Sequence, residues 1–167
     1  VLNMLPVQVD AWYRSGASAI AISIASMAIG AAALASVIVR QTGSTSGAAA
    51  AAALLMANPN VLYLQSTPIT EPLLFGTTLL AVAWTIDWVD RGGGRDVMKP
   101  GLAVAAACMT RYEAWPICAV LLSLAALVLI YRGASTKDAL TAVGRIAVYP
   151  GIAMVLFGAA AIVHLLK

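Results

Sequence analysis

The sequence is poor in charge. Only 10% of its 167 residues are Asp, Glu, Lys or Arg, where a water-soluble domain carries about 25%. With 62% hydrophobic residues and a mean hydropathy of +0.91, there is too little polar surface to cover a soluble body. Histidine is nearly absent. His164 is the only one, which excludes a multi-histidine metal site. Cysteine is scarce, and Cys108 and Cys118 lie within apolar sequence. They read as small buried hydrophobes rather than a disulfide or a metal pair. No phosphate-binding glycine loop, zinc spacing or nucleophile triad occurs. The net charge of +3 is too small to argue for nucleic acid.

What is present is a series of apolar runs broken by short polar stretches. Ala19 to Val39 carries no charge, and about 20 such residues span a hydrocarbon core of ~30 Å. Ser26 and Gly30, at i and i+4, suit close helix packing there. Ala48 to Leu64 is a second span. Its alanine run predicts tight enclosure by other helices, and Pro59 predicts a kink or a stop. A third span runs from Pro72 to Val89, with Thr70 as N-cap. Gly101 to Tyr131 is interrupted at Thr110–Pro116. Each half is ~15 residues, or roughly 22 Å of helix. Arg132 to Arg145 reads as a polar connection, and Ile146 to Leu166 as the last span. The fold expected is an all-α polytopic transmembrane bundle of about six helices. Two of these are short and form a hairpin around residues 101–131. The whole chain reads as one transmembrane domain. Its opening Val-Leu-Asn and its apolar end read as an internal piece of a longer integral membrane protein.

Charge placement orients these spans. With the hairpin, Arg40, the group Arg91, Arg95 and Lys99, and the group Arg132, Lys137 and Arg145 share one side. That is seven of the ten Lys and Arg residues. The positive-inside rule makes that side cytoplasmic. A single long helix over 101–131 would scatter them. The stretch Asn58–Pro72 and the stretch Thr110–Pro116 then both fall outside, where they could converge on one pocket.

Both stretches hold chemistry. Asn58–Pro72 contains three of the seven prolines, several amides and hydroxyls, and Glu71. Asn58, Gln65, Ser66, Thr67 and Thr70 suit sugar hydroxyls. Tyr63, Tyr112 and Trp115 can stack on a sugar or line a lipid path. Arg111 offers a fork of donors matched to phosphate. Glu71 and Glu113 are suited to acid–base work, and they are the residues that could hold a divalent cation; no other cofactor is indicated. Ionisable groups at membrane depth point to a site by default. Each also has a plainer reading. Arg111 and Glu113 could snorkel to headgroups. Glu71 could serve only the dipole of a helix start, and Asn58–Pro59 could be a helix stop. Trp12, Tyr13, Trp84, Trp88 and Tyr131 read as interface anchors, Asp87 as a partner of Arg91 at i+4, and His164 as structural.

Asn58-Pro59-Asn60-Val61-Leu62-Tyr63-Leu64-Gln65-Ser66-Thr67-Pro68-Ile69-Thr70-Glu71-Pro72-Leu73-Leu74 is followed about forty residues later by Thr110-Arg111-Tyr112-Glu113-Ala114-Trp115. This pair of motifs resembles the multi-spanning GT-C glycosyltransferases. The resemblance is nearest to bacterial members related to protein O-mannosyltransferases and lipid A aminoarabinose transferases, and it covers most of Val1 to about Tyr131. It implies transfer of a sugar from a polyprenyl-phosphate donor to a lipid, glycan or protein acceptor outside a bacterial inner membrane. By motif, Arg111 would hold the donor phosphate and Glu71 would orient the donor or assist a cation, with Tyr112 and Glu113 next. The family's acidic loop after its first helix, which supplies the catalytic base, has no counterpart here, and Asp10 sits in no such motif. The resemblance therefore implies a piece that is inactive alone. A transporter or flippase for a lipid-linked or small polar substrate, and a non-catalytic membrane scaffold, are the competing readings.

Overall fold

A computed structural model describes residues 14–67 and 70–165. The interface reading of Trp12 and Tyr13, Asp10, Pro68, Lys167 and the side chain of His164 lie outside the described residues. Among the described residues there are seven helices and no strand. They are α1 (Ala17–Thr42), α2 (Thr45–Ala57), α3 (Pro59–Gln65), α4 (Glu71–Asp90), α5 (Met98–Thr110), α6 (Ala114–Tyr131) and α7 (Thr136–Leu165). The chain divides into two compact units, Val1–Leu80 and Ala81–Lys167, with the boundary inside α4.

Four helices are long and apolar enough to cross a membrane: α1, α4, α6 and the Thr136–Leu156 part of α7. The bent pair α2 and α3 makes a fifth if it counts as one span. That is the signature of an integral membrane protein. The helix α5 is not among them. Its 13 residues give about 20 Å of length, short of a hydrocarbon core.

In the first unit, α1 ends at Gly43, whose φ of 68° lets its N–H reach back to the Val39 carbonyl at 2.8 Å. Ser44 then caps α2 by accepting from the Gly47 N–H at 2.9 Å. The small-residue face of α1 behaves as its spacing predicts. Ser26 and Gly30 are buried, and Gly76 of α4 lies against them so closely that a Cβ there would overlap the Ser26 carbonyl. Backbones approach at this point because neither helix carries bulk.

The alanine run of α2 departs from expectation. Only Ala48 is buried in that helix, and Leu54 is 75% exposed. Within its own unit α2 packs on α1 along one side. The remaining face is apolar and open, which is tolerable where lipid rather than water covers it.

In the second unit the break inside 101–131 is a fold-back. The Trp115 indole N–H donates to the Cys108 carbonyl at 3.0 Å, and the buried Cys108 and Cys118 thiols lie close to each other. Ten residues of continuous helix would hold those thiols about 15 Å apart. The other ends of the helices agree. Arg132, just past α6, donates from Nη2 to Asp90 Oδ1 at 2.8 Å and from Nη1 to the Val89 carbonyl at 3.0 Å, both at the end of α4. A hairpin of α5 and α6 is thus present, and both its helices pack on α7; only α5 is short, since the 18 residues of α6 are enough to cross a membrane, which corrects the expectation of two short helices.

The face pattern of α6 is that of a lipid-facing helix. Its buried side carries Ala114, Cys118, Leu122, Ala125, Ala126 and Leu129. Val120, Leu124, Leu127 and Tyr131, spaced for one face, are 53% to 93% exposed. The protein-facing side holds four small residues and two leucines, and the outward side large apolar ones, a division that suits helix packing in lipid.

The polar connection Arg132–Arg145 is a correction. Helix α7 begins at Thr136, some ten residues before the expected Ile146. The cause is local. Ser135 accepts from the Asp138 N–H at 3.1 Å, and its hydroxyl donates to Asp138 Oδ2 at 2.8 Å. This is a capping arrangement at a helix start, with the carboxylate favoured by the dipole. Pro150 is inside α7 and the helix continues through it.

Candidate functional site

The first polar stretch is mostly occupied with holding its own backbone. Asn58 Oδ1 accepts from the Asn60 N–H at 2.9 Å, and the Asn58 carbonyl accepts from the Leu62 N–H at 2.9 Å. This Asx cap starts α3 with Pro59 at its first position, where the missing N–H costs nothing. The result is a bend of 63° between α2 and α3. Ser66 Oγ donates to the Tyr63 carbonyl at 2.8 Å, and Thr67 Oγ1 to the Leu64 carbonyl at 2.9 Å. These hydroxyls satisfy the orphan carbonyls of a helix end.

Three residues of this stretch differ. Gln65 Oε1 is buried with no hydrogen-bond partner, and such an acceptor inside a structure calls for an explanation. Thr70 is exposed. Its carbonyl accepts from the Leu74 N–H at 3.0 Å, so it stands where an N-cap residue stands. Glu71 opens α4, and Pro72 beside it is fully buried. A carboxylate in that first turn is favoured by the dipole.

The second polar stretch is a three-residue turn between α5 and α6. Arg111 leaves the helical region with φ −154° and ψ 154°. This stops α5, and the turn swings the guanidinium onto Glu113. Arg111 Nε donates to Glu113 Oε2 at 3.1 Å, and Nη2 donates to Oε1 at 2.9 Å. A two-point pair of this kind is the stronger form of guanidinium–carboxylate contact. The guanidinium holds the Glu113 carboxyl below its ordinary value, first through these hydrogen bonds, with the backbone N–H adding to the effect. The side chains remain 32% and 38% exposed, so an incoming anion can reach the cation. Tyr112 is 72% exposed between them.

Beside this turn is a cleft of about 260 Å³, lined by Cys108, Met109, Thr110, Arg111, Tyr112 and Trp115. One cation, the Thr110 and Tyr112 hydroxyls and two aromatic rings stand over an otherwise apolar floor. That chemistry suits a group that is anionic at one point and apolar elsewhere. Both Glu113 oxygens are turned to Arg111, and among the described residues no group of three or more His, Cys, Asp or Glu converges.

Arg111, Tyr112 and Glu113 are therefore brought together in the second unit. Asn58, Gln65, Thr70 and Glu71 belong to the first. Sequence reading missed the role of Trp115, whose indole satisfies one of the last carbonyls of α5. The signal was its distance of seven residues from Cys108 across a turn. It also missed that Trp84 and Trp88 line a second cleft with three cations. The sequence expectation that Asp87 pairs with Arg91 is met at 2.8 Å.

No protein-family model, no curated protein and no solved structure matches the chain.

Proposed function

We propose that the chain is part of a membrane glycosyltransferase that moves a sugar from a polyprenyl-phosphate donor to an extracytoplasmic acceptor. The observation that carries this reading is the Arg111–Glu113 turn. It is a half-exposed guanidinium, held in register by a carboxylate, over a largely apolar cleft. A polyprenyl phosphate has that same division, a charged head on an apolar tail. In this reading Arg111 holds the phosphate, Glu113 fixes the fork, and Tyr112 and Trp115 lie along the sugar or the first isoprene units. Glu71 keeps the role that the GT-C resemblance lends it, orienting the donor. The short helix α5 counts as a sixth membrane helix, sunk below the surface, and the turn faces the extracytoplasmic side of a bacterial inner membrane. The positive charges of the 91–99 loop and of residues 132–145, at the start of α7, support that orientation.

A second reading, a transporter or flippase, draws on the 63° break at Asn58 and the unpartnered Gln65 oxygen. Interrupted helices line substrate paths in transporters. The two readings separate in membranes carrying the complete protein, supplied with a labelled polyprenyl-phosphate sugar. The glycosyltransferase reading expects sugar transfer, reduced at least about 100-fold in Arg111→Ala and in Glu71→Gln, the range for losing one charge-stabilising group. Unchanged rates in both variants would remove the site assignment. Passage of the intact labelled lipid without sugar release would favour the flippase.

A further inference from the structure

A second cleft, of about 210 Å³, lies in the second unit where α4 ends and α5 begins. Its shape comes from the loop. The Trp88 indole N–H donates to the Gly94 carbonyl at 3.0 Å, which folds residues 91–94 back over the helix end. Gly93 makes the fold possible. Its φ is 67°, and a Cβ there would press on the Leu129 side chain. Trp84 and Trp88 form the apolar wall, and Arg91, Arg95 and Lys99 bring three positive charges to the same space.

These charges are not equivalent. Arg91 is neutralised by Asp87 at 2.8 Å. The side chains of Arg95 and Lys99 hold no hydrogen bond or ion pair among the described residues. Asp96 also lines the cleft, and it opposes an anion there. Three cations against two carboxylates leave the cleft with one net positive charge, and Asp87 is already engaged.

From this arrangement we infer that the cleft binds the phosphodiester headgroup of an anionic phospholipid. Two unpaired cations match a phosphate that presents several acceptor oxygens. The indoles sit near the end of a span, the depth at which tryptophan meets headgroups. Basic pockets among transmembrane helices are a recurrent form of lipid-headgroup site. An acyl chain has somewhere to go. Met98, Leu102 and Met109 are exposed and apolar at 43% to 56%. Their spacing of four and seven residues sets them on one face of α5, which starts at the cleft. A free phosphate would use the cations and leave that apolar track unused. The inference requires only that the chain is membrane-embedded. It stands whether or not the chain transfers sugar.

The test is native mass spectrometry of the detergent-solubilised protein with added phosphatidylglycerol, phosphatidylcholine or soluble glycerol phosphate. Phosphatidylglycerol should be retained and phosphatidylcholine should not. The double variant Arg95→Gln/Lys99→Gln should weaken retention by about 10-fold or more, the scale expected for two cations at a membrane surface. The charge-matched control Lys137→Gln/Arg145→Gln should leave it unchanged. Asp96→Asn should tighten it, and Arg95→Lys/Lys99→Arg should preserve it, which separates loss of the site from loss of the fold. Equal weakening in the control would mean diffuse surface charge and overturn the inference. So would equal retention of phosphatidylcholine, or displacement of the lipid by millimolar glycerol phosphate.

Discussion

Two of the polar interruptions in this apolar chain bend it by different means. At Asn58 the instruction is in the backbone. Proline removes a donor, the asparagine side chain caps the next helix, and α3 leaves α2 at 63°. At Arg111–Glu113 the turn contains no proline and no glycine. There the fold-back is held by side chains that reach across it: Trp115 to the Cys108 carbonyl, Cys118 to Cys108, and Arg111 to Glu113. A bend written in backbone chemistry uses up its polar groups to make the bend. A bend held by side chains leaves a charged pair and two aromatic rings standing at a cleft. The second is therefore the better candidate for binding, although the first has the richer polar composition.

The largest expected effect tests the side-chain half of that contrast. Trp115→Ala removes the indole that satisfies the Cys108 carbonyl and its packing, and should destabilise the folded state by about 2 kcal/mol. Trp115→Phe keeps most of the apolar contact and should lose about 1 kcal/mol. Unfolding in detergent, followed by circular dichroism, would give both values. Equal and negligible losses would mean that the hairpin is held elsewhere. A smaller effect is expected at the other break. Asn58→Ala removes one cap at a cost of about 1 kcal/mol, and Asn58→Asp should restore it, since either oxygen can accept from the Asn60 N–H. Faster hydrogen exchange at Asn60 in the alanine variant alone would mark the cap directly.

The smallest effect concerns pH. Glu113 has a carboxyl held below its ordinary value by Arg111. A group depressed in the folded state contributes stability above its unfolded value, and that contribution is lost as pH falls through the folded value. The turn should therefore weaken only in acid, below the ordinary carboxylate range. Glu113→Gln should flatten that part of the pH profile and leave neutral stability close to the parent, because an exposed pair is screened by solvent. Identical acid profiles in the two proteins would remove the pair from the account of the second break.

The legible parts of the fold share a cause. Hydropathy and length located α1, α4 and α6, because a membrane span must satisfy its backbone within one helix and cover it with apolar side chains. Ser26 and Gly30 marked a close contact because only small residues admit one. Pro59 marked a break for a similarly local reason. The early start of α7 was written in Ser135 and Asp138 but hidden by charge, since Lys137 and Arg145 made the segment look like a loop. The exposed face of the alanine run was not legible, because composition does not say which neighbour will cover a helix.

Amino-acid order alone determined that the chain is apolar, helical and broken at Asn58–Pro72 and Thr110–Pro116, since those properties depend on residues a few positions apart. It also placed Arg111 beside Glu113, and Arg95 near Lys99. Tertiary structure decided what those residues face. The guanidinium meets its carboxylate at two points only because Arg111 leaves the helix. A basic cleft forms only because Trp88 ties Gly94 back across the end of α4. The physical reason is the same in both cases. Charge and hydrogen-bonding capacity belong to the residue, but the space in which they act is enclosed by groups that the fold brings in from elsewhere in the chain.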